Sequence, residues 1–216
     1  MRPRIKICCI SSREEAALAI REGAAALGLV GNMPSGPGII SDELIAAIAA
    51  ATPPPIGTFL LTSETRSANI ISHHQKTFTN TIQLVDALED LNYAEIRAAL
   101  PTIKLVQVIH VMDEASIDEA LELAAEVDAL LLDSGNPKLA VKELGGTGRV
   151  HNWKLSRSIV EQSPVPVFLA GGLNPANVRE AIDIVQPYGL DLCSGVRSNG
   201  KIDPAKLSAF FKNAYQ

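Results

Sequence analysis

Short runs of aliphatic and β-branched residues alternate along the chain with longer stretches whose apolar positions recur at helical spacing. The short runs fit strands buried on both faces and the long ones amphipathic helices, so their alternation predicts repeated strand–helix units around a parallel sheet. Eight such units are legible. Strands are expected at Arg4–Ile10, Ala26–Gly31, Ile56–Leu61, Thr81–Val85, Ile103–Val111, Ala129–Leu132, Val165–Leu169 and Leu190–Cys193. Helices are expected at Arg13–Glu22, Asp42–Ala51, Glu64–Lys76, Tyr93–Ala99, Glu114–Glu126, Trp153–Gln162, Pro175–Val185 and Pro204–Asn213. Ser41 offers an N-cap hydroxyl, and Asn174-Pro175 and Asp203-Pro204 each set a capping side chain before a proline suited to a first helical turn. Eight pairs in 216 residues fit an α/β chain forming a single-domain (β/α)8 TIM barrel over residues 1–216, with its active face at the loops after the strands. The competing architecture is an open doubly wound sheet. It lacks its Gly-x-Gly-x-x-Gly turn after the first strand, where Cys8-Cys9-Ile10-Ser11-Ser12-Arg13 stands instead.

Composition narrows the function classes. A 47% hydrophobic chain of this length can bury one sizeable core, and its 19 basic and 24 acidic residues give a formal charge of -5 with no basic stripe. Nucleic acid is therefore not an expected partner. No run approaches the ~18 apolar residues of a membrane span, and Met1-Arg2-Pro3-Arg4 enters the first strand without a signal-peptide stretch, so a soluble cytoplasmic protein is expected. Three cysteines, two of them adjacent, make neither a disulfide framework nor a metal-ligand spacing. Reduced thiols and no metal are expected.

The strand ends carry the candidate chemistry. Cys8 lies near the end of the first strand, and Asp133 follows four apolar residues of the sixth. A carboxyl there is costly unless it emerges at the barrel mouth, although a loop-capping aspartate is an equal alternative. If Lys6 and Cys8 point inward, alternation turns Cys9 towards the helices as a packing cysteine, and Lys6 stands on the same face to lower the Cys8 pKa. Three glycine-rich or small-residue turns, Gly145-Gly146-Thr147-Gly148, Ala170-Gly171-Gly172-Leu173 and Cys193-Ser194-Gly195-Val196, offer backbone N–H groups to an anion. Together they suggest an enzyme acting on a phosphorylated small molecule.

These segments resemble the phosphoribosylanthranilate isomerase family, the (β/α)8 enzymes of tryptophan biosynthesis. The family opens with Lys-Ile-Cys-Gly-Ile-Thr, where this chain has Lys6-Ile7-Cys8-Cys9-Ile10-Ser11. The similarity continues through Leu130-Leu131-Leu132-Asp133-Ser134, the Gly145–Gly148 turn with Trp153 after it, Leu169–Val178 and Asp191-Leu192-Cys193-Ser194-Gly195-Val196. The resemblance implies a cofactor-free Amadori rearrangement with Cys8 as general base and Asp133 as general acid. It further implies a phosphate held by backbone groups of Gly146-Thr147, Gly171-Gly172 and Ser194-Gly195.

The departures cluster at the other end of the implied substrate. Gly38 stands where the family carries an arginine facing the anthranilate carboxylate, and Val85-Asp86 replaces a His-Gly pair. Arg197 takes the place of an acidic residue after Ser-Gly-Val, and Cys9 that of a glycine. Lys6, Gly38, Val85 and Arg197 are accordingly expected around the substrate pocket, with Arg66 or Arg197 available to supply the missing cation. Three readings stay open: the tryptophan-pathway isomerase, a paralogous isomerase of another phosphoribosylamine or sugar phosphate, and a non-catalytic phosphate-ligand or partner-binding barrel. Retention of both Cys8 and Asp133 argues against the last. His73-His74 are expected on a surface helix, His110 at the mouth or in a structural role, His151 ordering the sixth loop, and Trp153 anchoring the helix it begins. A monomer or a homodimer is expected, with Ile70, Ile71 and Phe78 pointing to the third helix as a contact region.

Overall fold

The computed structural model describes residues 2–135 and 150–216. Eight parallel strands close in sequence order into a barrel. They are β1 (Arg4–Ile7), β2 (Ala26–Val30), β3 (Gly57–Thr62), β4 (Thr81–Leu84), β5 (Lys104–His110), β6 (Ala129–Asp133), β7 (Val167–Leu169) and β8 (Gly189–Leu192). The helices are α1 (Arg13–Glu22), α2 (Asp42–Ala51), α3 (Ser67–Thr77), α4 (Tyr93–Ala99), α5 (Ala115–Leu123), α6 (Trp153–Gln162), α7 (Val178–Val185) and α8 (Pro204–Tyr215). β1 pairs with β2 on one side and β8 on the other, with Lys6 opposite Asp191 and Ile7 opposite Leu192. The chain is thus a (β/α)8 TIM barrel, as the alternation predicts.

Strand alternation divides the apolar residues between two clusters. Ile5, Ile7, Leu27, Leu29, Leu60, Leu130, Leu132 and Leu190 belong to the large layer between sheet and helices. Ala26, Phe59, Val106, Val108, Leu131 and Phe168 fill the barrel interior. Phe59 and Phe168 meet edge to face there, with ring centroids 6.2 Å apart, so the axis is plugged by aromatic side chains below the mouth.

Several boundaries move. β1 stops at Ile7 rather than Ile10, because Cys9 adopts a left-handed conformation (φ 61°) that no strand accommodates. α7 begins at Val178 rather than Pro175: Asn174 and Asn177 bond to one another and to Gly172, so Pro175 lies in a turn ahead of the helix. Ser41 and Asp203 do cap their helices, accepting from Leu44 N and from Ala205 N and Lys206 N. After β8 come a short 3-10 turn (Ser194–Val196) and a two-stranded ribbon, β9 (Arg197–Ser198) with β10 (Lys201–Ile202), which periodicity does not reveal.

The third helix is not the surface element expected. His73 is buried, its Nδ1 2.9 Å from Thr62 Oγ1 and its Nε2 3.1 Å from Asp42 Oδ1, and His74 Nε2 donates to Thr79 O at 2.7 Å. Ile70 is in the core as well, so it offers nothing to a partner, while Phe78 is 74% exposed at the end of the helix. Polar residues mislead here because buried partners wait for them: His73 satisfies both ring nitrogens internally and His74 one. Among the described residues, no helix is long and apolar enough to cross a membrane.

Candidate active site

The C-terminal ends of the strands open into a cavity at the barrel mouth. Cys8, Asp133 and Asp191 line it, reaching in from the ends of β1, β6 and β8. Gln83 and Val85 come from the β4 end, Met33, Ser35, Gly36 and Pro37 from the loop after β2, and Gly171, Gly172, Cys193 and Ser194 from the last two strand ends.

Below the mouth, Lys6 is fully buried and donates from Nζ to Asp191 Oδ1 at 2.9 Å, with the ammonium 5.2 Å from the Phe59 ring centroid. Burial opposes its charge, yet the Asp191 carboxylate, with help from Cys8 and Cys9, holds its pKa above the usual lysine value. Lys6 therefore supports the site from one layer beneath rather than lining the pocket. Gly28 makes this possible, since a Cβ there would fall 2.8 Å from Cys8 Sγ and 3.0 Å from Lys6 Nζ. The thiol and the ammonium share the space that Gly28 leaves.

Asp133 lies across the mouth on β6, opposite His110 in the register with β5. It is buried, and burial pushes its carboxyl pKa up against the opposing effects of the Ser134 N–H, at 2.7 Å, and of His110. Its first acceptor contact is thus the loop-cap bond of the alternative reading, but the side chain also lines the cavity. His110 Nε2 donates to Val85 O at 3.2 Å and does not line the cavity.

Gly171 and Gly172 take positive φ values of 81° and 64°, giving the turn after β7 its sharp bend. Gly195 does not line the cavity. It lets the turn after β8 approach closely, because a Cβ there would collide with Leu173 O at 1.9 Å. Gly146 and Thr147 lie outside the described residues. His151 sits against Gly171, with Nε2 2.7 Å from Ser156 Oγ, and burial lowers its pKa to about 4, so the ring is neutral at ordinary pH. Trp153 packs on the outer core as α6 begins.

Two more expected pocket residues, besides Lys6, are elsewhere. Arg197 is held by a two-pronged pair with Glu15, at 2.9 and 3.1 Å, and donates to the carbonyls of Cys9 at 2.5 Å and Gly200 at 3.0 Å. This clamp ties the β1 turn to the β9–β10 ribbon from behind, so the guanidinium is unavailable to the cavity. Gly38, with φ 81°, packs its α-carbon face on Cys9 rather than lining the pocket. Arg66 is exposed at the start of α3 beside Glu89 and does not reach the mouth either. Cys9 is also displaced from its expected place: it faces the cavity with Cys8, because its left-handed backbone breaks the alternation that would turn it towards the helices.

Asp191 and Gln83 are the cavity residues that the sequence reading passed over. A carboxylate between Leu190 and Leu192 on an inward strand position is the signal that marks the first. The Gln83 carbonyl oxygen is buried without a partner among the described residues, an acceptor left for something in the cavity.

A model of the N-(5'-phosphoribosyl)anthranilate (PRA) isomerase family matches residues 5–213 of this geometry's chain. The chain belongs to that family. N-(5'-phosphoribosyl)anthranilate isomerase 2 of Methanosarcina mazei is 37% identical over 213 residues, spanning 98% of this chain and 93% of that protein. The crystal structure of phosphoribosyl anthranilate isomerase from Thermotoga maritima superposes with a TM-score of 0.82 at 30% identity, covering 99% of this chain and 98% of that one. Another, in complex with reduced 1-(o-carboxyphenylamino)-1-deoxyribulose 5-phosphate, gives 0.79 at 28% identity, with the same coverage. Cys9 and Gly38, the two departures from the resembled pattern, meet in space.

Proposed function

We propose that this chain isomerises N-(5'-phosphoribosyl)anthranilate to the corresponding 1-deoxyribulose 5-phosphate by an Amadori rearrangement in tryptophan biosynthesis. The observation that carries the reading is a thiol, Cys8, and a buried carboxyl, Asp133, reaching into one cavity from different strand ends. Asp133, biased towards its protonated form by burial, gives its proton to the furanose ring oxygen, and the ring opens to a Schiff base. Cys8, beside the Lys6 ammonium, takes the C2′ proton to leave an enaminol. Reprotonation at C1′ and loss of the hydroxyl proton complete the ketose, so hydrogen moves with no external oxidant or reductant.

The phosphate is assigned to the end of the cavity lined by Gly171, Gly172 and Ser194, where it adds binding energy remote from the reacting carbons. The anthranilate ring is placed towards Met33, Ser35, Gly36, Pro37 and Val85. No lysine or arginine is among the described lining residues at this end, which favours a second reading, a paralogous isomerase of a different phosphoribosylamine whose aglycone lacks that carboxylate. A cytoplasmic monomer or homodimer is the working assembly.

Fluorescence progress curves with freshly generated phosphoribosylanthranilate test both readings. Turnover abolished by Cys8→Ser and by Asp133→Asn in folded protein supports the assignment, each change costing about 10²–10⁴-fold in kcat. Wild-type protein that binds phosphate-bearing analogues but turns over only phosphoribosylamines lacking the carboxylate supports the second reading alone.

A further inference from the structure

Arg197 stands outside the cavity, yet it is bonded to the stretch of chain that carries the thiol. Its Nη2 donates to Cys9 O at 2.5 Å and to Cys8 O at 3.4 Å, and its Nη1 donates to Gly200 O at 3.0 Å. Glu15 accepts from both nitrogens, at 2.9 and 3.1 Å. The same carboxylate accepts from the N–H and the hydroxyl of Ser11, each at 3.0 Å, and from the N–H of Ile202 at 2.9 Å. The turn after β1 is thus gripped at both ends, at the Cys8 and Cys9 carbonyls by the guanidinium and at Ser11 by the carboxylate. A nearly buried, two-pronged ion pair joins the two grips.

The gripped turn is one that resists its own shape. Cys9 has a φ of 61°, a left-handed backbone that glycine adopts freely and that a residue with a Cβ keeps only when its surroundings impose it. Cys8 is the residue before it, and its thiol sits with Lys6 Nζ in the space that Gly28 leaves. Relaxation of Cys9 to a negative φ turns the Cys8–Cys9 peptide and carries the thiol off that seat.

We propose that Arg197, braced by Glu15, is a positioning residue: it holds Cys9 in the left-handed turn and thereby keeps the Cys8 thiol aimed at the reacting carbon. The role rests on the reading of Cys8 as the general base. It makes Cys9 and Arg197 a coupled pair, since a glycine at position 9, as in the resembled pattern, takes this backbone without a clamp.

The other elements that Arg197 touches are held without its side chain. β9 pairs with β10, and Asp203 N donates to Val196 O at 2.9 Å. Ser198 Oγ donates to Asp203 Oδ2 at 2.7 Å, and Lys206 Nζ to Arg197 O at 3.0 Å. Loss of the guanidinium is therefore felt at the thiol more than at the Ser194–Gly195 turn assigned to the phosphate. The rate of the chemical step should suffer and substrate affinity should not.

A cycle of Arg197→Ala and Cys9→Gly tests this, with Arg197→Lys as the variant that keeps a cation opposite Glu15 should the alanine protein fail to fold. Initial rates with freshly generated phosphoribosylanthranilate, taken where each protein is folded, are read beside thermal melts. In the Cys9 chain, Arg197→Ala should lower kcat about 10–10²-fold with KM little changed. Arg197→Lys, which cannot fork between the carboxylate and the carbonyls, should show the same split at smaller size. In the Cys9→Gly background most of the kcat loss should disappear, and the fall in melting temperature should shrink with it. An unchanged kcat, a loss confined to KM, or a kcat loss of equal size in both backgrounds would each overturn the proposal. So would a fall in melting temperature with no kinetic effect, which marks a purely structural clamp. Folded wild type that does not turn over the substrate would sink the isomerase reading, and the melts still decide the clamp. Coupled shifts at positions 9 and 197 support its hold on the turn, and additive shifts refute it.

Discussion

A Cβ built on Gly38 falls 2.5 Å from the Cβ of Cys9, closer than two such atoms can sit. The two positions that depart from the resembled family pattern, a glycine become cysteine and an arginine become glycine, are therefore one steric exchange. Gly38→Arg alone should destabilise the protein by about 1–3 kcal/mol through overpacking and a strained φ of 81°. Cys9→Gly should be nearly neutral, since lost packing is offset by relief of a left-handed cysteine. In the double variant the clash is gone, and thermal melts of all four proteins should give a coupling energy of at least about 1 kcal/mol. Additive effects would show that the contact does not govern the exchange.

Asp133→Asn should abolish turnover yet raise the melting temperature at neutral pH. Burial raises the folded pKa of Asp133 above the ordinary 3.8, so its stabilising protonation is fully present below that value and is lost as pH rises through the folded pKa. The gain from the amide should accordingly grow between acid and neutral pH. Melts across that range decide the matter, and a variant less stable than wild type at pH 7 would contradict the sign.

The buried pair of Lys6 and Asp191 makes a prediction of the same sign at high pH. Its lysine pKa lies above 10.5, so the pair's contribution is complete below that value and disappears as pH climbs through the raised one. Lys6→Met should cost about 3–5 kcal/mol by stranding the aspartate, and Lys6→Met/Asp191→Leu should regain much of it without regaining activity. Denaturant titrations of the single and double variants measure both numbers.

His151 should titrate near pH 4 by NMR. Because its folded pKa is depressed from 6.5 by burial, the neutral ring contributes stability above 6.5 that is lost as pH falls towards about 4. His151→Gln should flatten the pH dependence of unfolding in that window, and an unchanged slope would place the acid sensitivity elsewhere.

The barrel was legible because two-faced burial writes apolar runs into every strand, and closure demands eight of them. Asp133 and Cys8 were legible for the converse reason: polar groups at the ends of such runs need a cavity. What periodicity cannot carry is a reversal of backbone hand. Nothing in Lys6-Ile7-Cys8-Cys9 announces that alternation fails at its last residue, so periodicity alone puts Cys9 on the wrong side of the sheet. Partnership is equally silent. Arg197 reads as a free cation until Glu15, distant in sequence, is found holding it. His73 and His74 read as surface residues until Thr62, Asp42 and Thr79 are found beside them.

The sheet's two faces have separate duties. Its outer side chains interlock with eight helices, whereas its inner ones surround the aromatic plug of Phe59 and Phe168 and the charged layer above it. A substitution is therefore registered by whichever side it falls on: outward changes are felt as lost cohesion, inward ones as altered chemistry. The sheet works as a bulkhead, behind which the inner compartment can be refitted for another substrate while the hull stays intact.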